Sequence, residues 1–402
     1  MQKNNRAALG IIFLTIFINM VGFGVVIPVL PFYAERFGAT PWEIGWLFGI
    51  FSLIQFLAAP FFGQLSDRIG RRPVLVISTL GTALGFTIMG AGHSLAMLFV
   101  GRIIDGISGG SIGTAQAYVA DITSPENRSK AMGLIGAAFG LGFVFGPALG
   151  GATAAWLGES APLYVAGGLA LINATLIFFV LPESLPQDKR GSKQDRLFPT
   201  ILHHVRSKPY FTTVVTYFIL IAGFSIMTAV FALFVAHRYE FNTAQTGYVF
   251  AMLGIIGVVI QGGLIGRLVK KFGEARLATL GAAILTASLF AMPFTASVPM
   301  LLIACAGIAT GNSLLSPTLS GIASQNVDAE WQGRALGILQ SAGSLARWIG
   351  PVLGGWLLTF DLDKNIEAYA QTPFWVASGL LLLTFFLCLK LPQKETTKSR
   401  VG

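Results

Sequence analysis

Twelve apolar runs, each about long enough to cross roughly 30 Å of hydrocarbon as an α-helix, recur along the 402-residue chain. They cover 8–33, 43–64, 73–91, 95–119, 131–157, 162–181, 210–236, 244–267, 276–293, 298–323, 334–359 and 373–390. No other feature limits the fold as much, because a backbone in hydrocarbon must satisfy its own hydrogen bonds, and only helices and closed barrels do so. Barrel strands would alternate over short segments, whereas these runs are continuous and rich in Gly, Ala, Leu and Ile. The expected fold class is therefore all-α and integral to the membrane. A composition of 54% hydrophobic and 11% charged residues, with a mean hydropathy of +0.70, fits no ordinary soluble domain.

Charge placement gives the expected orientation. With the N-terminus inside, 22 of the 27 Lys and Arg fall in cytoplasmic loops and tails, and only Arg36, Arg238 and Lys364 fall outside. Both termini are then cytoplasmic, in a multi-pass protein of the inner (plasma) membrane. The net charge of +9 is scattered over many loops and so reflects topology, with no nucleic-acid partner implied. Cys305 and Cys388 lie within apolar runs, so no disulfide framework, metal site or cofactor is indicated. The first run is long enough to remain as a span and lacks a cleavage site of small residues.

The longest polar interval, "LPESLPQDKRGSKQDRLFPTILHHVRSKPY" at 181–210, divides the chain into an N-terminal six-helix bundle (1–181), a cytoplasmic linker (182–209) and a C-terminal six-helix bundle (210–402). The linker has room for a short surface helix near 198–205. The halves repeat: "GLIGAAFGLGFVFGPALGG" (133–151) aligns without a gap on "GILQSAGSLARWIGPVLGG" (337–355), 204 residues on. Two pseudo-symmetric bundles of this kind are expected of a transporter with its site near the membrane midplane.

Two stretches carry a family resemblance. "GQLSDRIGRR" (63–72) resembles the cytoplasmic loop signature of the major facilitator superfamily, and the run at 133–151 resembles the fifth-span signature of its drug:proton antiporter branch. The first half, from "GFGVVIPVLP" (22–31) onward, is most similar to the tetracycline-efflux subgroup. In the second half "GGLIGRLVKKFGE" (262–274) follows the loop more loosely, with Gly266 read opposite Asp67. The resemblance implies that Gly63, Asp67, Arg68, Gly70, Arg71 and Arg72 form a gating loop, with Asp67 facing backbone donors near Gly333–Ala335. It also implies that Gly133, Gly142, Gly146, Pro147, Gly150 and Gly151 pack closely, seal the outer side and mark export. Tetracycline exporters carry acids in spans 1 and 3 and a histidine in span 8. Asn19, Gly85 and Gly257 stand at those positions here, so tetracycline itself is not the expected cargo.

Of eighteen acidic residues, Asp105 alone lies deep in a run, about 15 Å in. Arg102, Asp105, Gly109, Gly113 and Gln116 share one helical face. An ionisable group at that depth is paired, wet or functional. Two readings stay open: a structural Arg102–Asp105 pair, or a proton site in which burial and the arginine act oppositely on a carboxylate. Arg347, on a face with Gln340 and Ser344, either binds an anionic group or pairs with backbone carbonyls near Pro351. Asn19, Gln55, Gln116, Gln261, Asn312 and Gln340 are uncharged polar candidates for the substrate cavity, or bridges between helices.

An enzyme is not expected. "GISGG" (106–110) fits G-x-S-x-G, but that elbow needs a strand-to-helix turn, and no run interior holds a histidine to serve as base. The chain has no Gly-Lys dipeptide and hence no phosphate loop for a primary pump. The expected activity is proton-coupled efflux of small, partly hydrophobic, drug-like compounds by alternating access, by a monomer with the proton as coupling ion. A proton-coupled importer of a sugar, amino acid or organic acid is the alternative on the same fold, and a membrane receptor that moves nothing is a further one.

Overall fold

A computed structural model describes residues 3–191, 208–327 and 331–391. The expected surface helix near 198–205 lies outside the described residues. Where described, the chain is helical and contains no strand. The first six spans are α1 (Lys3–Glu35), α2 (Pro41–Ile69), α3 (Arg71–Gly90), α4 (Leu95–Gly109) continuing into α5 (Ile112–Ile122), α6 (Pro125–Leu157) and α7 (Ala161–Val180). The next are α8 (Lys208–Tyr239), α9 (Thr243–Val259) leading through a π-helical segment (Ile260–Leu264) into α10 (Ile265–Phe272), α11 (Glu274–Ala291), α12 (Val298–Gln325), α13 (Gln332–Thr359) and α14 (Gln371–Leu389). Eleven of these spans are long and apolar enough to cross a membrane. The remaining one, α13, matches them in its 28-residue length but carries Gln340, Ser341, Ser344 and Arg347.

Local chemistry sets the ends. Thr40 and Glu43 form a capping box at α2, with Glu43 Oε2 accepting from Thr40 N at 2.8 Å. Ser94 caps α4, and prolines sit in the first turns of α2, α6, α7 and α12, where a missing N–H is harmless. Gly70 (φ 106°, ψ 160°) reverses the chain between α2 and α3, in a conformation closed to other residues, and Gly273 (φ 80°, ψ 156°) does so between α10 and α11.

The contacts divide the chain into two compact units. One holds the described residues before 193 together with Phe241–Ala251; the other holds the described residues from 208 to 240 and those from Met252 on. Within the first, α1 packs on α6, α3 on α4 and α7, and α2 on α4. Hydrocarbon supplies no hydrophobic force between helices, so close backbone approach must hold them. At the α1–α6 crossing a Cβ on Gly146 would fall 2.7 Å from Gly24 Cα, one on Gly150 3.0 Å from Val25 O, and one on Gly142 would strike Met20. The first turns of α9 join this unit in the same way: a Cβ on Gly151 would lie 3.0 Å from Ala244 O, and one on Gly247 2.6 Å from Pro147 O. Gly133 differs. It is exposed, and a Cβ there would meet nothing within 4 Å, so it takes no part in the close packing expected of its run.

The second unit repeats the device. Gly350 and Gly354 of α13, each 204 residues after Gly146 and Gly150, approach Ala222 O and Ile226 O of α8, where Cβ atoms would come within 2.7 and 3.1 Å. Gly146→Leu is therefore expected to lower stability in detergent by at least about 1–3 kcal/mol, while Gly133→Leu stays within about 0.5 kcal/mol of the parent. Thermal unfolding of the two purified variants checks this, and equal melting would remove the crossing as the support of the unit.

Candidate functional site: a buried ion pair and a charged loop

α4 carries the deep charges because α3 lets it come close. A Cβ on Gly85 would lie 2.8 Å from Gly101 O and 3.0 Å from Asp105 N, so the two backbones touch where Asp105 projects. Arg102 is fully buried and Asp105 is 5% exposed. Arg102 Nη1 meets Asp105 Oδ2 at 3.2 Å, and Arg102 Nε donates to Leu47 O of α2 at 2.9 Å. The guanidinium lies over the Phe51 ring, 4.4 Å from its centre, which adds a cation–π attraction away from water. Nη2 has no partner among the described residues. Asp105, Thr82, Asn19, Gln55 and Gly109 border a cavity of about 20 Å³, room for about one water.

Asn19 and Gln55 thus join Asp105, and Gln55 Nε2 also donates to Gly109 O at 3.1 Å. Gln116 does not. The helix tightens at Gly110 and Ser111, whose N–H groups bond back to Ile107 O and Ser108 O at 3.2 Å, and Ile112 just past them is the last residue of this face to border the cavity. Gln116 lies beyond that turn and is exposed. Ser108 of "GISGG" donates to Ile104 O at 2.9 Å within its own helix.

In the second unit Gln261 sits on the π segment and its Nε2 reaches Ser313 Oγ at 3.4 Å. Such segments inside helices recur at functional sites. Asn312 Oδ1 is buried without a partner among the described residues, and Gln340 is exposed on α13. Arg347 Nη2 donates to Ser344 Oγ at 3.0 Å, and it shares the neighbourhood of Gly343 with the Tyr217 ring. It has no acidic partner among the described residues.

The charged loop is a network inside the first unit. Asp67 Oδ1 binds Arg71 Nη1 at 2.6 Å, Ser66 Oγ accepts from Arg71 Nη1 at 2.6 Å and donates to Gly63 O, and Arg71 Nε reaches Asp121 Oδ2 at 3.3 Å. Arg72 donates to Phe178 O and lies over that residue's ring, while Arg68 is exposed. The sequence reading missed Glu183. Its carboxylate lies against Gly70 and accepts from Arg71 N at 2.9 Å and Arg72 N at 3.2 Å, capping α3 with an anion. The loop that follows a span gives no periodic signal, so nothing in the sequence singled it out.

The repeat itself needs one correction. The reversing glycines Gly70 and Gly273 are structural equivalents, so Gly266 matches Gly63, and Lys270, not Gly266, stands opposite Asp67. By the same count Glu274 stands opposite Arg71. At the far end of the spans Asp121, which receives Arg71, corresponds to Gln325, whose Nε2 donates to Glu274 Oε2 at 2.9 Å. At these two positions, Asp67 and Arg71 against Lys270 and Glu274, the charges are reversed, while Arg68 and Lys271 keep the same sign.

The model of the Major Facilitator Superfamily matches residues 12–351 and 264–402 of this sequence. The chain belongs to the major facilitator superfamily. It is a multi-pass membrane transporter of that family rather than an enzyme. It is 33% identical over 402 residues to multidrug resistance protein 2 of Bacillus subtilis, covering 98% of this chain and 97% of that one. Identity to the class B tetracycline resistance protein of Escherichia coli is 30% over 415 residues, with both chains covered completely. Among solved structures the human organic anion transporter MFSD10 superposes with a TM-score of 0.70 at 28% identity, over 96% of this chain and 100% of that one. A bacterial Spinster homologue, facing inward, reaches a TM-score of 0.80 at 16% identity, over 98% of this chain and 100% of that one, and so shares the fold.

Replacing either partner of the Arg102–Asp105 pair leaves the other buried and uncompensated, which costs about 3–5 kcal/mol. Arg102→Gln and Asp105→Asn are each expected to melt earlier, and the double variant to recover most of the loss. Thermal unfolding of all three decides whether the pair contributes to stability as a unit.

Proposed function

We propose that the protein is a proton-coupled exporter of small, partly hydrophobic, drug-like compounds, working by alternating access as a single chain. The observation that carries this reading is the deep Arg102–Asp105 pair beside a water-sized cavity with Asn19, Gln55 and Thr82 at its edge. A carboxylate held between a guanidinium and a pocket that admits water has a route to take up and give back a proton, and the lost pairing with Arg102 couples that step to a change of conformation. The multidrug and tetracycline resistance relatives support a drug-like cargo, and the charge bias of the loops supports cytoplasmic termini in the plasma membrane. Gly85 weighs against tetracycline, since even a Cβ there would strike the backbone of Gly101 and no acid can stand in its place.

The cycle uses this chain's groups in a simple order. A proton from the outer side neutralises Asp105, and cargo arriving from the cytoplasm displaces it as the cavity changes face. Asp105→Asn keeps the group uncharged and cannot cycle. Uphill export driven by an imposed pH gradient in inside-out vesicles is expected to fall to background, with substrate binding and downhill exchange retained. Gradient-driven export by that variant at the parental rate would remove Asp105 as carrier.

A preference for anionic cargo has its own support in Arg347, a cation in α13 without an acidic partner among the described residues. The similarity to MFSD10, an organic anion transporter, is consistent with it. Arg347→Gln is expected to weaken anionic substrates more than neutral or cationic ones. Equal losses across a panel that differs only in charge would give Arg347 a packing role instead.

A further inference from the structure

α2 and the span formed by α9 and α10 are equivalents in the repeat, yet they pack differently. α2 runs along α4, whereas its counterpart meets α12 mainly through the π segment, and only 11% of its most apolar stretch is buried. Between α10, the start of α11 and α12 this leaves a cavity of about 330 Å³. Ile265, Val269 and Pro317 give it apolar walls, Gly266 leaves it open, and Lys270 and Glu274 bring charge to it.

The charges are not matched to each other. In the first half the equivalent positions form the Asp67–Arg71 pair at 2.6 Å. Here Glu274 turns to α12, where it accepts from Gln325 and lies against Gly321, and Lys270 has no partner among the described residues. Arg267 and Lys271 stand in the same two turns of α10, Lys271 over the Phe272 ring at 5.2 Å. A cation without a counter-ion, at the end of a span and beside an apolar cleft that its own helix leaves unfilled, matches a molecule with an anionic head and a hydrocarbon tail.

We propose that this cavity binds an anionic phospholipid, with the headgroup phosphate on Lys270 and an acyl chain along Ile265, Val269 and Pro317. Lys270, the cation that lines the cavity, beside a carboxylate engaged by Gln325, favours a net negative headgroup over a zwitterionic one. Neither wall nor charge is used by the transport cycle described above, so the site stands apart from that reading.

The test is native mass spectrometry of the full chain in detergent, titrated with phosphatidylglycerol, phosphatidylethanolamine or phosphatidylcholine of matched chains. Phosphatidylglycerol is expected to be retained best. Lys270→Gln should weaken its retention by roughly fivefold, and Gly266→Leu should do so by filling the cleft, since a Cβ at Gly266 meets nothing within 4 Å. Lys271→Gln, whose side chain does not line the cavity, should bind as the parent does. Equal retention of the three lipids, or equal losses in Lys270→Gln and Lys271→Gln, would overturn the proposal. Complete displacement by millimolar inorganic phosphate would overturn the lipid assignment in favour of a simple anion site. If Gly266→Leu unfolds, the comparison of the two lysine variants decides.

Discussion

Backbone-to-backbone contact at glycine crossings supports everything else in this protein. Helices in lipid gain nothing by hiding apolar side chains from tails that are equally apolar, so they are held by packing and by the few polar bonds they share. The crossings at Gly24 and Gly146, Gly85 and Gly101, and Gly281 and Gly311 bring main chains within reach of one another. The second of these also fixes the chemistry. Because α3 presents no side chain at Gly85, α4 moves in, and the carboxylate of Asp105 occupies the room beside Thr82 and Gln55.

Two arginines deep in apolar helices then meet different settings. Arg102 is enclosed by a carbonyl, a carboxylate and an aromatic face, so its charge is almost fully answered from within its unit. Arg347 has a hydroxyl and little else. In hydrocarbon a charge without a counter-ion is expensive, so such a group faces the bundle interior or water, or pairs with polar groups of the chain. The repeated architecture therefore carries unequal contents, one half holding an ion pair and the other a half-buried cation with no acidic partner among the described residues.

The sequence was a good guide to whatever depends on hydrophobic length. The expected runs at 95–119 and 334–359 correspond to Leu95–Ile122 and Gln332–Thr359, and the rest agree to within a few residues. Asp105, Arg102, Asn19 and Gln55 were legible because polar groups stand out in apolar runs. Helical periodicity held through the turn at Gly110 and Ser111 as far as Ile112, but it does not say where a small cavity ends, and Gln116 lies beyond it. Motif alignment failed at Gly266, where matching by residue type ignored the reversing glycine that sets the register. Glu183 and Asp121 were not legible, because their partner Arg71 stands outside their own segments, and the wholly buried Asp361 has only one of its two partners, Lys364, nearby in sequence, the other being Thr372 at the start of α14.

The reversed charges of the two loops bear on how the protein arose and how it can change. Two loops with one turn geometry, Gly70 and Gly273, point to duplication of a common ancestor. Once Asp67 and Arg71 in one copy had become Lys270 and Glu274 in the other, the copies ceased to be interchangeable. Recombination between the halves would now set Glu274 beside Asp121, giving repulsion, or Arg71 beside Gln325, leaving Arg71 with Asp67 alone of its two carboxylates. Each loop is thus committed to its own half, and further divergence must proceed by compensated pairs rather than by exchange of segments.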